Sequence, residues 1–419
     1  MERTILGWSR RVAAASILCA GLVTAARAAD ETGGIPGQWL SEYAGARTLG
    51  LGGAYVAIAD DPMGALWNPA GPTRMDQNQV LFETARVFEG TTTNSIGFAV
   101  PGSRLPTIGL SVFSLHSGDF QKTNELNEDL GSFSESEMAF LLNVAHALSP
   151  RLALGANLKV ARQSLEDYSA GGVGVDLGGL FDLTPAVRVG GAVLNLGGPS
   201  LSLRDTKETY PIEFRGGVAA QVFSGRGLLS LQVDALEGPG VRLHAGGQYR
   251  IHPSIDLRIG YDDSYAAGGF SYRFRGPLQV DYALADRPLG MTHRLGLSYR
   301  FGGFFAASTA DPAVFSPTGE NAVTKVLLNA RTKAEPKSWR LVFLDKSDEV
   351  VRSFGGQGQP PAHLLWDGKD EAGLPLPDGI YRYWLVVTDQ EGREITGPTR
   401  SVEIFTTGPQ GSVPVEPVR

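Results

Sequence analysis

The sequence predicts an all-β fold: an antiparallel transmembrane β-barrel of about fourteen strands with an N-terminal plug segment, followed by a small C-terminal β-sandwich. Three observations carry that prediction. Apolar and polar residues alternate with period two from Gln79 to Phe301. Most alternating segments are near the 9–11 residues that a tilted strand needs to cross a bilayer. The joints between them alternate between short turns and longer polar stretches.

In chain order, Arg3, Arg10 and Arg11 give a basic start, and an apolar run follows from Val12 to Ala26. With Ala26-Arg27-Ala28 as the cleavage site, residues 1–28 read as a secretory signal peptide. The apolar run is shorter than the roughly 20 residues of a spanning helix. The single cysteine, Cys19, lies inside it, behind Leu18, which is not the small residue a lipoprotein site needs. The mature chain is therefore expected to carry no cysteine and no disulfide. The formal charge is -7, and removing four arginines and Glu2 with the signal leaves about -10, which speaks against nucleic acid as a partner.

Residues 29–78 form the expected hatch. The stretch GGAYVAIADDPMGALWNPAG, Gly52 to Gly71, is partly helical in pattern, with Ala54, Ile58 and Leu66 apolar and glycine at the breaks. An even strand count puts both barrel ends on the periplasmic side, so the segment can enter the lumen as a plug. Asp60 and Asp61 are adjacent and diverge, and no calcium-loop spacing follows them. They read as caps of the next helical turn or as partners of lumen arginines. Asn68-Pro69 reads as a rigid turn in which Asn bonds its own backbone. Gly50-x-Gly52 is no dinucleotide loop, because Tyr55 takes the third glycine position and no βαβ unit surrounds it. Arg47, Asp60, Asp61, Asn68 and Pro69 are the candidate structural and gating residues; no cofactor, metal site or catalytic group is expected.

Residues 79–302 are the barrel. In RLALGANLKVARQ, Leu152, Leu154, Ala156, Leu158 and Val160 share one face, and Ala153, Gly155, Asn157, Lys159 and Ala161 share the other. The same parity opposes Leu243 and Tyr249 to Arg242 and His244, Leu257 and Ile259 to Arg258, and Phe270 and Tyr272 to Arg273. A cation on the lipid face near mid-bilayer would cost roughly 2–4 kcal/mol. Lys159, Arg242, His244, Arg258 and Arg273 are therefore assigned to the lumen. Glycine, 54 residues in all, is dispersed through these segments rather than gathered in a linker. Long polar gaps are expected at Ser117–Ser136 and Gly198–Pro211. RLGLSYRF, Arg294 to Phe301, resembles the terminal-strand signal that the barrel assembly machinery of outer membranes reads.

GARTLGLGGAYVAIADDPMGALWNPAG resembles the amino-terminal signature of the PorV/PorQ group, within the broader FadL-like superfamily of outer-membrane barrels. Gly45-Ala46-Arg47, Gly52-Gly53-Ala54, Ala59-Asp60-Asp61 and Trp67-Asn68-Pro69-Ala70-Gly71 carry the likeness. It implies a hatch inside a barrel. In FadL relatives such a barrel passes hydrophobic molecules; in PorV it serves type IX secretion by binding exported proteins.

Residues 303–320 are small and proline-containing and read as a linker. Residues 321–406 show strands and turns, with Trp339, Phe343, Trp366, Tyr381, Tyr383 and Leu385 as a candidate core. Pro360-Pro361, Trp366-Asp367-Gly368, Pro377-Asp378-Gly379-x-Tyr381 and Asp389-x-x-Gly392 resemble a FlgD-type immunoglobulin-like domain, which implies a spacer or protein-binding role. Residues 407–419 read as a disordered tail.

The leading expectation is a non-enzymatic PorV/PorQ-like barrel that aids secretion or surface attachment of exported proteins. The alternative is a FadL-like channel for hydrophobic small molecules. Expected surroundings are outer-membrane lipid, with the C-terminal domain in the periplasm near peptidoglycan or a periplasmic protein. None of His116, His146, His244, His252, His293 and His363 sits in a nucleophile or zinc motif.

Overall fold

The computed structural model describes residues 35–406, apart from residues 43, 89, 104, 204–205, 224, 237–239, 264, 275, 288–289 and 319–321. The expected signal peptide and the expected disordered tail lie outside the described residues. The chain divides after Phe301 into two units.

Fourteen strands close the first unit into a barrel. They are β1 (Asn78–Phe88), β2 (Thr91–Val100), β3 (Thr107–Thr123), β4 (Asp129–Ala147), β5 (Leu152–Leu165), β6 (Tyr168–Thr184) and β7 (Val187–Leu196). After a hairpin, β8 (Ser200–Leu203) and β9 (Thr206–Thr209), come β10 (Glu213–Val222), β11 (Gly227–Leu236), β12 (Gly240–His252), β13 (Ile255–Asp262), β14 (Tyr265–Arg273), β15 (Leu278–Arg287) and β16 (Gly290–Phe301). Strands next to one another around the wall run antiparallel, and β1 closes on β16 with Asn78 opposite Phe301. Closure gives every strand two partners and removes the open edge that lipid could not satisfy. The first strand starts and the last ends at the same pole, called the inner end below.

Period two decides which side chain faces which solvent. On β5, Asn157 and Lys159 are at most 2 % exposed, whereas Leu158 between them is 47 % exposed. Ile96, Leu231, Ile259 and Leu297 join Leu158 on an apolar exterior. Aromatic rings gather on that exterior near the inner end. Phe98 stacks on Phe301 at 6.4 Å, Tyr272 meets Phe274 at 4.8 Å and Phe223 meets Tyr249 at 5.9 Å. An apolar wall edged by aromatics is what a bilayer stabilises and water does not. The fold is a barrel of the outer-membrane type. No described helix is long and apolar enough to cross a membrane, which says nothing of strands.

Two of the expected loops are not loops. Within Ser117–Ser136, β3 continues to Thr123 and β4 begins at Asp129, so the pair forms a long hairpin beyond the apolar belt. Most of its residues are polar and exposed, with Phe120 and Phe133 packed on each other at 5.4 Å, and the strict alternation that marks a half-greasy strand disappears. Within Gly198–Pro211, the β8–β9 hairpin folds back against β6, where Gly172 and Gly174 leave room for Pro199 and Ser200.

The hatch precedes β1. It holds two short helices, α1 (Gln38–Glu42) and α2 (Ala46–Gly50), and two 3₁₀ turns at Pro62–Leu66 and Gly71–Arg74. It runs the length of the lumen: Gly37 lies against Tyr210 of the outer β9–β10 connection, and Arg74 pairs with Asp182 near the inner end at 2.8 Å. Leu51, Tyr55, Met63, Leu66 and Trp67 are buried in the main lumen core.

The second unit is a two-sheet sandwich. β17 (Phe305–Asp311), β19 (Thr324–Arg331) and β22 (His363–Trp366) form one sheet. β18 (Val314–Phe315), β25 (Arg400–Ile404), β23 (Gly379–Asp389), β20 (Pro336–Leu344) and β21 (Val350–Gln357) form the other, with β24 (Glu394–Thr396) on β23. Trp366 is the centre of the core, 4.2 Å from Phe343 and 5.9 Å from Tyr381 between ring centroids. Its indole N–H donates to Lys369 O at 3.0 Å, so burial leaves no orphan donor. Trp339 is only half-buried beside this core. The expected linker 303–320 is corrected: Phe305–Asp311 is β17, paired along its length with β19. Ala306, Ser308 and Ala310 point into the sandwich. Small core residues alternating with other small residues have the composition of a linker, which hides the strand.

Candidate functional site: the hatch and the lumen wall

The wall glycines explain how a backbone segment fits inside a barrel. A Cβ on Gly155 would lie 2.2 Å from Pro69 O, one on Gly178 2.2 Å from Asn68 Oδ1, and one on Gly260 2.1 Å from Gly52 N. Each position lets hatch backbone pack directly on strand backbone, where any side chain would collide. The dispersed glycine of the sequence is in part the imprint of the hatch on the wall.

That close approach buries hatch peptide groups, and wall side chains satisfy them. Helix α2 begins at Gly45, which has no side chain to cap it. Glu83 of β1 takes that role, accepting from Gly45 N at 2.9 Å and Ala46 N at 2.7 Å. Gln232 of β11 accepts from Tyr55 N at 2.8 Å and Val56 N at 2.7 Å with one oxygen. His244 of β12 places Nδ1 2.9 Å from Gly52 O. Asn143 and Asn157 donate to Pro69 O at 2.9 Å and Ala65 O at 2.8 Å, and Ser111 donates to Pro62 O at 3.1 Å.

The hatch residues named from sequence hold the hatch to itself. Asp61 caps the turn after it, accepting from Gly64 N at 2.7 Å. Asp60 pairs with Arg47 of the hatch rather than with a lumen arginine, and the Tyr55 hydroxyl bridges Asp60 and Asp61 at 3.2 and 2.6 Å. The hatch is not one of the spanning strands. There, burial pushes the Asp60 carboxyl up and the Arg47 guanidinium more than offsets it, holding the group below its usual range. For Asp61 burial prevails and the carboxyl is raised. Asn68 Oδ1 accepts from Ala70 N at 3.0 Å to close the turn around Pro69, while its amide donates to Val56 O and Gly179 O.

The five lumen cations are not one cluster. Lys159 is sealed against Asp176 at 3.0 Å and Asn195 at 2.8 Å. Arg258 lies 3.4 Å from Asp281 and donates to Ser271. Arg273 pairs with Asp256 at 2.6 Å near the inner rim. Arg242 lines a cavity near the outer end, and His244 lies beside Asp234 at 3.1 Å. Sequence reasoning did not single out Glu83, Gln232, Asn143 or Asp176, although each occupies an inward parity position. Among the described residues no group of three or more His, Cys, Asp or Glu is placed to hold a metal ion.

Two cavities flank the hatch on the same sector of wall. The outer one, about 30 Å³, touches Leu49, Trp67, Leu236 and Tyr265 and also the charged or ionisable side chains Glu213, Arg215, Asp234, Arg242, His244 and Asp262. The inner one, about 190 Å³, touches Arg47, Ala57, Ile58, Arg188, Arg226 and Arg250. Both rest on β10, β11 and β12. Between them stands hatch segment 51–57, which Gln232 and His244 bond and against which Gly217 and Gly246 pack.

Neither a family model nor a curated protein matches the sequence. Among solved structures, the chain is similar to the CymD monoaromatic hydrocarbon channel, at 15% identity over 61% of this chain and 97% of that one, with a TM-score of 0.49. It is also similar to the Pseudomonas putida toluene transporter TodX, at 13% identity over 61% and 97% with a TM-score of 0.48. A Pseudomonas aeruginosa FadL homologue matches at 14% identity over 61% and 98%, with a TM-score of 0.46.

Proposed function

We propose that the protein is a gated, non-enzymatic conduit of the bacterial outer membrane, of FadL-like kind, for small solutes with an apolar part. One observation carries the reading: two cavities on the same wall sector have hatch segment 51–57 seated on the wall between them. Displacing that segment joins them along β10–β12 without unfolding the wall. The outer cavity has room for about one water as it stands, and Leu49, Trp67, Leu236 and Tyr265 share its lining with Glu213, Arg215, Asp234, Arg242, His244 and Asp262, so once the hatch moves it offers contact to a solute with both an apolar and a polar part. CymD and TodX are named for hydrocarbon transport, and the solute class proposed for this chain rests on its own lining.

Gln232 is the residue to test. In the Gln232→Ala variant Tyr55 N and Val56 N lose their acceptor, at about 0.5–1.5 kcal/mol for each bond. The closed state is thereby destabilised. Entry of the hydrophobic dye N-phenylnaphthylamine into cells displaying the variant is expected to rise roughly tenfold over the parent. Unchanged entry with a folded barrel refutes the gate.

A second reading is the PorV/PorQ-like one, in which the barrel binds exported proteins and never opens. The circumferential pinning of the hatch by Glu83, Ser111, Asn143, Asn157, Gln232 and His244 favours it. On either reading the chain leaves the barrel at the inner end, so the sandwich is proposed to be a periplasmic FlgD-type module that binds protein or peptidoglycan. Loss of surface-displayed proteins on deletion, with dye entry unaffected by Gln232→Ala, selects this second reading.

A further inference from the structure

We propose that the inner cavity is a binding site for a small oxyanion, that is, for a phosphate- or carboxylate-bearing solute. The proposal stands on the cavity's own chemistry and does not require the conduit to open. The space is about 190 Å³, enough for inorganic phosphate or a short dicarboxylate. Arg47, Arg188, Arg226 and Arg250 line it, against the carboxylates Asp60 and Asp182. This excess of positive charge occurs in a chain whose formal charge is -7.

The hydrogen-bond inventory points the same way. Both lining carboxylates are engaged. Asp60 takes Arg47 and the Tyr55 hydroxyl, and Asp182 takes Arg188 Nε at 2.6 Å and Arg74 at 2.8 Å. The arginines are not equally engaged. Arg188 commits only Nε, and Arg250 likewise gives Nε to Asp256 at 2.9 Å. Among the described residues, no acceptor meets the terminal nitrogens of either. Arg226, on the turn between β10 and β11, has no carboxylate partner among the described residues. Gln248 gives its oxygen to Arg258 Nε at 2.9 Å, which leaves its amide N–H groups for the cavity. The site is therefore rich in planar donors and short of acceptors. Guanidinium forks match phosphate and carboxylate oxygens in geometry as well as charge. A cation meets no unengaged carboxylate among the described lining residues, whereas Ile58, Val187 and Leu228 leave apolar contact for the rest of an anionic solute.

The test is calorimetric titration of the detergent-solubilised full chain with inorganic phosphate, with succinate, and with choline chloride at matched ionic strength. Saturable binding of phosphate or succinate, with none of choline, is expected; the tighter of the two anions identifies the source. Arg226→Gln and Arg188→Gln are each expected to weaken binding by roughly tenfold. Arg226 is exposed on a turn, so its replacement leaves the barrel folded. Arg151→Gln, at an exposed inner turn outside the cavity, is expected to change nothing. No saturable binding of either anion by the parent overturns the proposal, as does binding that the two cavity substitutions leave intact.

Discussion

Lys159→Met is expected to destabilise the barrel by about 3–5 kcal/mol. Lys159 and Asp176 are at most 2 % exposed and 3.0 Å apart, on neighbouring strands. Asp176 also accepts from Asn157 Nδ2 at 3.0 Å and Asn195 N at 2.9 Å. Methionine fills similar space and leaves a buried carboxylate with hydrogen bonds but no counter-charge. The double variant Lys159→Met, Asp176→Asn removes both charges but keeps an acceptor oxygen beside Asn157 Nδ2 and Asn195 N, and is expected to recover part of the loss, because no unpaired charge stays buried. Urea unfolding in lipid vesicles, followed by tryptophan fluorescence, measures both. A loss under about 1 kcal/mol for the single variant would mean that Lys159 is not in the sealed ladder.

Leu158→Arg, one residue away, is expected to cost about 2–4 kcal/mol for the opposite reason. Leu158 points outward near the middle of β5, where a guanidinium would have to sit in hydrocarbon. The same unfolding measurement applies, together with the yield of folded barrel. A variant as stable as the parent, in a protein that stays monodisperse without detergent or lipid, contradicts a lipid-facing exterior. Together the two substitutions test alternation: adjacent residues, one intolerant of losing charge and the other of gaining it.

Alternation was legible because it is local. Leu158 and Lys159 declare their faces within a few residues, and the same parity places Arg258 and Arg273 inside. The partners of those faces were not legible. Gln232 looks like any inward polar residue until Tyr55 and Val56, more than 170 positions earlier, come to rest on it. Gly155 and Gly178 are ordinary strand glycines in sequence, and only the hatch backbone against them shows why a Cβ is excluded. Within the hatch, Asp61 and Asn68 were readable because capping and turn bonds reach only two or three residues. Asp60 was harder, since its partner Arg47 lies across a fold of the same segment. The β3–β4 extension and β17 escaped for one reason: a strand wet on both faces, or built from small residues, has no hydrophobic contrast to show.

The account turns on whether the hatch must move for solute to pass. A Cβ on Gly50 would stand 3.5 Å from Cβ of Arg258, within the span of a disulfide. The variant Gly50→Cys, Arg258→Cys therefore ties the hatch to β13 one residue before the segment that lies between the cavities. Oxidised and reduced forms of this one variant share every other change, so their difference reports the tether alone. Dye entry into cells displaying it is predicted to fall to background when oxidised and to return on reduction; equal entry in the two states would contradict a moving hatch.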